Sequence, residues 1–83
     1  MNRNEIKIRI AKYIIKNFSA DEDIYVDYTP LSMYMDSLDM VQLIGWIESQ
    51  FNIEVPADLE FWNEWHNLND VVKGVEEIMQ GKR

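Results

Sequence analysis

Apolar residues recur along this chain at helical intervals, broken by one long irregular stretch. Over residues 4–18, Ile6, Ile8, Ile10, Ala11, Ile14, Ile15 and Phe18 cover most of a helical surface, while Glu5, Arg9, Lys12 and Lys16 share one edge. This predicts a first helix that is mostly buried. From about residue 37 to 51, Met40, Leu43, Ile44, Ile47 and Phe51 form a single stripe, with Leu38, Gln42, Gly45 and Ser49 opposite. Leu59, Trp62 and Trp65 are spaced for a short third helical segment. Val71, Val72, Val75, Ile78 and Met79 then predict the inward face of a last helix.

The element ends follow from local chemistry. Asp36 is placed to cap the second helix, and Asp39, three residues on, adds a carboxylate to its first turn. Asn69 or Asp70 is the corresponding cap for the last helix. Asn52-Ile53-Glu54-Val55-Pro56 reads as an extended link, because a residue before proline avoids the helical region. Residues 19–35 hold Pro30, acidic residues and scattered apolar anchors; they read as a long ordered loop pinned by Ile24, Val26 and Leu31, a length that usually accompanies function. The expected fold is all-α: a small four-helix bundle with a long first loop and a short third helix, in one domain spanning 1–83.

Composition narrows the function. With 83 residues the chain buries only about 60% of its unfolded surface, which leaves little room for an elaborate active site. Apolar stretches are too short for a membrane span, and the N-terminus lacks the apolar run of a secretory signal, so a cytoplasmic monomer without membrane partners is expected. No cysteine is present, which removes disulfides and thiolate chemistry. Eight basic against fifteen acidic residues give a net charge of −7, which disfavours nucleic acid and favours basic protein surfaces.

The informative stretch is Asp36-Ser37-Leu38-Asp39-Met40-Val41-Gln42-Leu43-Ile44. A serine in the first turn of a helix presents its hydroxyl at the surface, and unpaired backbone N–H groups there favour a phosphate nearby. Ser37 lacks the base a nucleophile needs, since the single histidine, His66, lies in another segment without a triad context. Taken alone, Asp36-Ser37 reads as a helix cap.

The wider pattern goes further. Asp-Ser-Leu-Asp followed by Val41, Leu43, Ile47, Phe51, Ile53, Val55 and Pro56 resembles the acyl carrier protein family without a gap from Asp36 to Pro56. The resemblance implies a helical bundle of acyl-carrier type, no catalysis by the chain itself, and covalent 4′-phosphopantetheine on Ser37. It also implies transfer of that group from coenzyme A by a phosphopantetheinyl transferase using magnesium, with Asp36 supporting the metal and cofactor. The carried group is then a thioester offered to acyl or aminoacyl ligases and synthases with basic docking surfaces. Leu38, Asp39, Val41, Gln42, Gly45 and Glu48 are the expected partner-binding positions. Leu38 is an exposed leucine beside the attachment point, and Gly45 costs on the order of 1 kcal/mol in a helix interior, consistent with close approach by a partner or with simple tolerance.

Two departures bear on the partner. Met33-Tyr34-Met35 stands where the family usually has a glycine, making the loop surface bulkier and more apolar, and Gln42 and Ser49 replace common glutamates. Phe61-Trp62-Asn63-Glu64-Trp65 is similar to the corresponding region of D-alanyl and other stand-alone aminoacyl carriers. The alternatives are therefore a fatty-acid, polyketide or specialised carrier, an aminoacyl or peptidyl carrier, and, from another class, a helical interaction domain in which Ser37 is only part of a cap. Trp46, Trp62 and Trp65 read as packing or as an acyl pocket. His66 with Glu64 and Asp70 is a poor metal set, and Asp21-Glu22-Asp23 reads as a solvated acidic turn.

Overall fold

The fold is that of a computed structural model, which describes residues 1–25, 29–56 and 64–81. Helix α1 (Arg3–Phe18) starts at Asn2, whose side chain accepts a hydrogen bond from the Glu5 N–H at 2.9 Å, and stops at Ser19 in the left-handed region, φ 56°. Its buried positions are Ile6, Ile10, Ala11 and Ile14. The expectation of a mostly buried helix is therefore corrected: Ile8 is 40% exposed, and Ile15 and Phe18 are half-buried. Residues two apart on a helix lie about 200° apart, so isoleucines at 6, 8 and 10 cannot share one face, and a small domain covers only one side of a helix. Helix α1 also holds five of the eight basic residues and one of the fifteen acidic ones, so it carries +4 while the rest of the chain carries −11.

The described part of the 19–35 segment contains two short 3₁₀ turns, Glu22–Tyr25 and Leu31–Met33. Ile24 and Leu31 anchor it in the core together with Met35, while Val26 lies outside the described residues. Met33 faces solvent, so of the bulky Met33-Tyr34-Met35 run only part reaches the surface. The exposed Asp21 carboxylate accepts hydrogen bonds from the Asp23 N–H (2.9 Å) and the Tyr34 hydroxyl (3.0 Å). That bond holds the Tyr34 phenol above its ordinary pKa, because ionisation would lose it and set a phenolate beside Asp21 and Asp23. It also ties the acidic turn to the residues just before Asp36.

Helix α2 (Ser37–Phe51) buries Leu43, Ile44, Ile47 and Phe51, with Met40 half-buried, and exposes Leu38, Gln42, Gly45 and Ser49. An aromatic chain fastens it to α1: Tyr13 stacks on Trp46 with ring centroids 4.3 Å apart, and Phe18 and Phe51 meet these two rings edge-on. Helix α2 ends at Asn52, φ 53°, a left-handed position that asparagine tolerates well. Beyond it the Glu48 carboxylate accepts the Val55 N–H at 2.9 Å, which holds the link against the helix it has just left.

Helix α3 (Leu68–Met79) is capped by Asn67, whose Oδ1 accepts the Asp70 N–H at 2.9 Å, and not by Asn69 or Asp70 as expected. The extra turn this adds buries Leu68, and the inward face is Leu68, Val71, Val72, Gly74 and Val75. Ile78 is only half-buried and Met79 is 42% exposed, because the last turn runs past the end of the core. Gly74 is required by a close approach: a Cβ there would lie 2.6 Å from Nε1 of the buried Trp65.

Among the described residues the chain is all-helical, with three α-helices and no strand. The predicted third helical segment falls largely on Leu59 and Trp62, which lie outside the described residues. No helix among the described residues is long and apolar enough to cross a membrane.

Leu43 and Ile47 are fully buried at the centre of α2, so Leu43→Ala or Ile47→Ala is expected to cost roughly 2–5 kcal/mol in denaturant unfolding. Leu38→Ala, at 77% exposure, should stay within about 0.5 kcal/mol of the parent, and a larger loss would contradict this facing of α2.

Candidate functional site

The start of α2 is set by a reciprocal pair of hydrogen bonds. The Asp39 N–H donates to Asp36 Oδ1 at 2.9 Å, and the Asp36 N–H donates to Asp39 Oδ2 at 3.1 Å, a capping box closed by two aspartates. Ser37 is therefore the first helical residue, exposed, with its side chain outside the core. The box and the helix ladder use the N–H groups of Asp36, Asp39 and Met40. Those of Ser37 and Leu38 have no partner among the described residues. A phosphodiester on the Ser37 hydroxyl would sit beside these two donors at the positive end of the helix dipole, so the residues present fit such a group.

Of the expected partner-binding residues, Val41, Gly45 and Glu48 line one cleft, while Gln42 and Asp39 are hydrogen-bonded elsewhere in the fold. Leu38, Val41 and Gly45, at three- and four-residue spacing, make an exposed line along α2, with Val41 51% exposed. This line leads into an open cleft of about 600 Å³ completed by Ile44, Glu48, Glu54, Val55 and Pro56. A Cβ added to Gly45 would meet nothing within 4 Å, so no neighbour among the described residues requires a glycine there. Gln42 is turned away from that line, and its side-chain amide donates to the Tyr13 hydroxyl on α1 at 3.2 Å. Asp39 and Glu48 are engaged within the fold, one in the cap and one on the Val55 N–H.

Sequence reasoning overlooked a second hollow. A groove of about 410 Å³ adjoins Ser37 directly, with Pro30, Leu31, Met35, Asp36, Met40, Trp65 and His66 in its lining. Its walls come from three segments that backbone bonds hold together: the Leu31 N–H donates to the His66 carbonyl (2.8 Å), and the His66 N–H donates to the Asp70 carboxylate (3.0 Å). The available signal was the spacing Asn67-x-x-Asp70, which repeats Asp36-x-x-Asp39 and marks where the 64–67 segment must turn. His66 is exposed at the rim. Among the described residues no cluster of three or more histidine, cysteine, aspartate or glutamate side chains is arranged to hold a metal.

This constellation, an exposed serine opening a capped helix of a small acidic helical fold, is matched at the level of whole families. The family described as the phosphopantetheine attachment site matches residues 10–75, and the chain belongs to that family. Proteins of this family carry covalently attached 4′-phosphopantetheine. They are carriers and not catalysts, and they work with a phosphopantetheinyl transferase and with ligase or synthase partners. Among curated proteins, the chain is 49% identical over 45 residues to the D-alanyl carrier proteins of Streptococcus equi subsp. zooepidemicus (strain MGCS10565) and Streptococcus equi subsp. equi (strain 4047), covering 53% of this chain and 56% of each relative. It is 43% identical over 44 residues to the D-alanyl carrier protein of Streptococcus pyogenes serotype M1, with the same coverage. The chain thus spans just over half the length of the curated relatives it matches.

Two substitutions separate folding from surface roles at this site. Asp36→Ala should lower stability by about 1 kcal/mol in denaturant unfolding, since it removes the carboxylate that accepts the Asp39 N–H. Gly45→Ala should raise it by roughly 0.5–1 kcal/mol, because the new methyl meets open space and the helix interior gains a better former.

Proposed function

We propose that this chain is a single carrier domain over 1–83 in which Ser37 bears 4′-phosphopantetheine and holds an acyl group for partner enzymes. The observation that carries this reading is the position of Ser37: exposed, first in α2, beside two backbone donors without a partner among the described residues, in a chain that matches the attachment-site family over residues 10–75. When bound, the prosthetic group supplies a terminal thiol that holds the cargo as a thioester. The chain's own residues do the rest. The Asp36–Asp39 box fixes where Ser37 stands, Asp36 offers a carboxylate beside it to the transferase and its magnesium, and Leu38, Val41 and Gly45 give the partner an apolar line to grip.

Within that reading we favour loading by an aminoacyl ligase of the D-alanyl type over use by fatty-acid or polyketide synthases. The similarity to D-alanyl carriers supports it. So does the character of α2, where Gln42 and Ser49 are uncharged and leave its exposed face less acidic. Long-range attraction comes instead from the net charge of −7, which suits basic partner surfaces and disfavours nucleic acid. A cytoplasmic monomer goes with this reading, because the transferase draws on coenzyme A.

Incubation with coenzyme A, magnesium and a broad-specificity phosphopantetheinyl transferase should add the mass of one phosphopantetheine group to the parent and none to Ser37→Ala, whose melting temperature should remain close to the parent's. A parent that gains no mass would reduce the chain to a helical interaction domain. The modified protein should accept D-alanine or another amino acid from an aminoacyl ligase faster than it supports fatty-acid elongation. Loading should slow as ionic strength rises to physiological values, where the Debye length is about 8 Å.

A further inference from the structure

In a chain with fifteen acidic residues against eight basic ones, one groove has only cations among its charged lining residues. Arg9, Lys12 and Lys16, at three- and four-residue spacing, share one stripe of α1 and border a shallow hollow of about 520 Å³. Tyr13, Trp46 and Gln50 complete its wall, and no carboxylate lines it. All three cations are exposed, and none forms an ion pair with a described residue, whereas Arg3 on the same helix pairs with Glu76 at 2.7 Å. Like charges one turn apart on a helix repel, so the stripe is slightly unfavourable for the fold that carries it. Trp46 is half-buried; Tyr13 stacks on it at 4.3 Å and Phe51 meets it edge-on, which fixes the ring beside the cations. The hollow also neighbours the exposed line of Leu38, Val41 and Gly45, since Gly45 and Trp46 are consecutive on α2.

We infer that this groove is a second docking surface, and that its occupant is a carboxylate-rich segment of a partner protein. The inference goes beyond the carrier reading and does not depend on Ser37. Cations without a carboxylate of their own keep their charge for a ligand, and arginine and tryptophan are residues from which interfaces draw much of their binding energy. A carboxylate-bearing segment matches the three cations, and an apolar side chain between its acids has Trp46 to lie on. Charge also disfavours a lipid surface as the occupant. The chain outside α1 carries −11 in a body of only 31 × 27 × 22 Å, so a planar anionic bilayer facing α1 meets that negative charge within a few Debye lengths of about 8 Å. A narrow segment feels chiefly the three cations it touches. A partner that grips Leu38, Val41 and Gly45 reaches the groove with such a segment about 100° round α2.

The test is an NMR titration of the isotope-labelled full chain at low ionic strength. The probes are a synthetic peptide of repeating Glu-Glu-Leu units, its counterpart with lysine in place of glutamate, and phosphatidylglycerol vesicles. The glutamate peptide should shift the Trp46 indole N–H and the α1 amides around Arg9, Lys12 and Lys16, and the lysine peptide and the vesicles should leave them in place. The triple variant Arg9→Gln/Lys12→Gln/Lys16→Gln should bind the glutamate peptide roughly tenfold or more weakly. It should melt within about 2 °C of the parent or above it, because its only internal effect is to relieve repulsion. Ser37→Ala should bind the peptide as the parent does, which keeps this result separate from the attachment reading. A glutamate peptide that moves none of these signals overturns the inference, as does a triple variant that binds it unchanged or melts well below the parent. Vesicles that shift the same signals when the peptide does not would assign the groove to a membrane, and self-association of the parent that the triple variant loses would assign it to a second copy of the chain; either outcome removes the acidic partner segment.

Discussion

The two hydrogen bonds that Asp36 and Asp39 exchange fix more than a helix end. A helix that began one residue later would leave Ser37 outside the first turn and its amide out of line with the helix axis. The box removes that freedom with groups belonging to the residues that flank the serine. It also spends the carboxylates of Asp36 and Asp39 on the backbone, so the first-turn amides left over are those of Ser37 and Leu38. Register, exposure and the local field around one hydroxyl are set by a single four-residue motif.

Helix α2 then divides its circumference among three tasks. One face is core, where Leu43, Ile44 and Ile47 belong to the same buried cluster as the inward residues of α1 and α3. A second, through Trp46 and Gln42, is fastened to α1 by stacking and a hydrogen bond to Tyr13. The third, along Leu38, Val41 and Gly45, is exposed. Glu48 borders this open face yet reaches back to Val55, so it shapes the cleft by pinning the link that forms its wall. A side chain that looks solvent-facing on a helical wheel can thus be holding a loop.

That limit explains what could be read from the sequence. The stripe and cap of α2 were legible because periodicity and a three-residue carboxylate spacing pointed the same way. Helix α1 was legible as a helix and not as a surface: its isoleucines are too evenly spread for periodicity to choose a face, and the choice falls to the partners it packs on. The start of α3 was misplaced because Asn67, Asn69 and Asp70 are all competent caps, and only the burial of Leu68 selects the first of them. The engagement of Gln42 and Glu48 and the pairing of Trp65 with Gly74 involve residues 29, 7 and 9 positions apart, and no local pattern announces contacts that the tertiary fold creates.

The uneven sharing of charge between α1 and the rest of the chain gives the molecule a permanent dipole. Positive charge is gathered on one helix, where Arg9, Lys12 and Lys16 line a shallow groove beside Trp46. The acidic turn at Asp21, Glu22 and Asp23 is tied through Tyr34 to the residues that lead into Ser37. A body so polarised experiences a torque in the field of a charged surface before it touches it. Near a basic surface it rotates to bring its acidic side forward and its first helix to the rear, which shortens the orientational search that otherwise slows protein encounters. The same torque turns it the other way near an anionic surface, so a carrier of this design distinguishes its surroundings by heading as well as by contact.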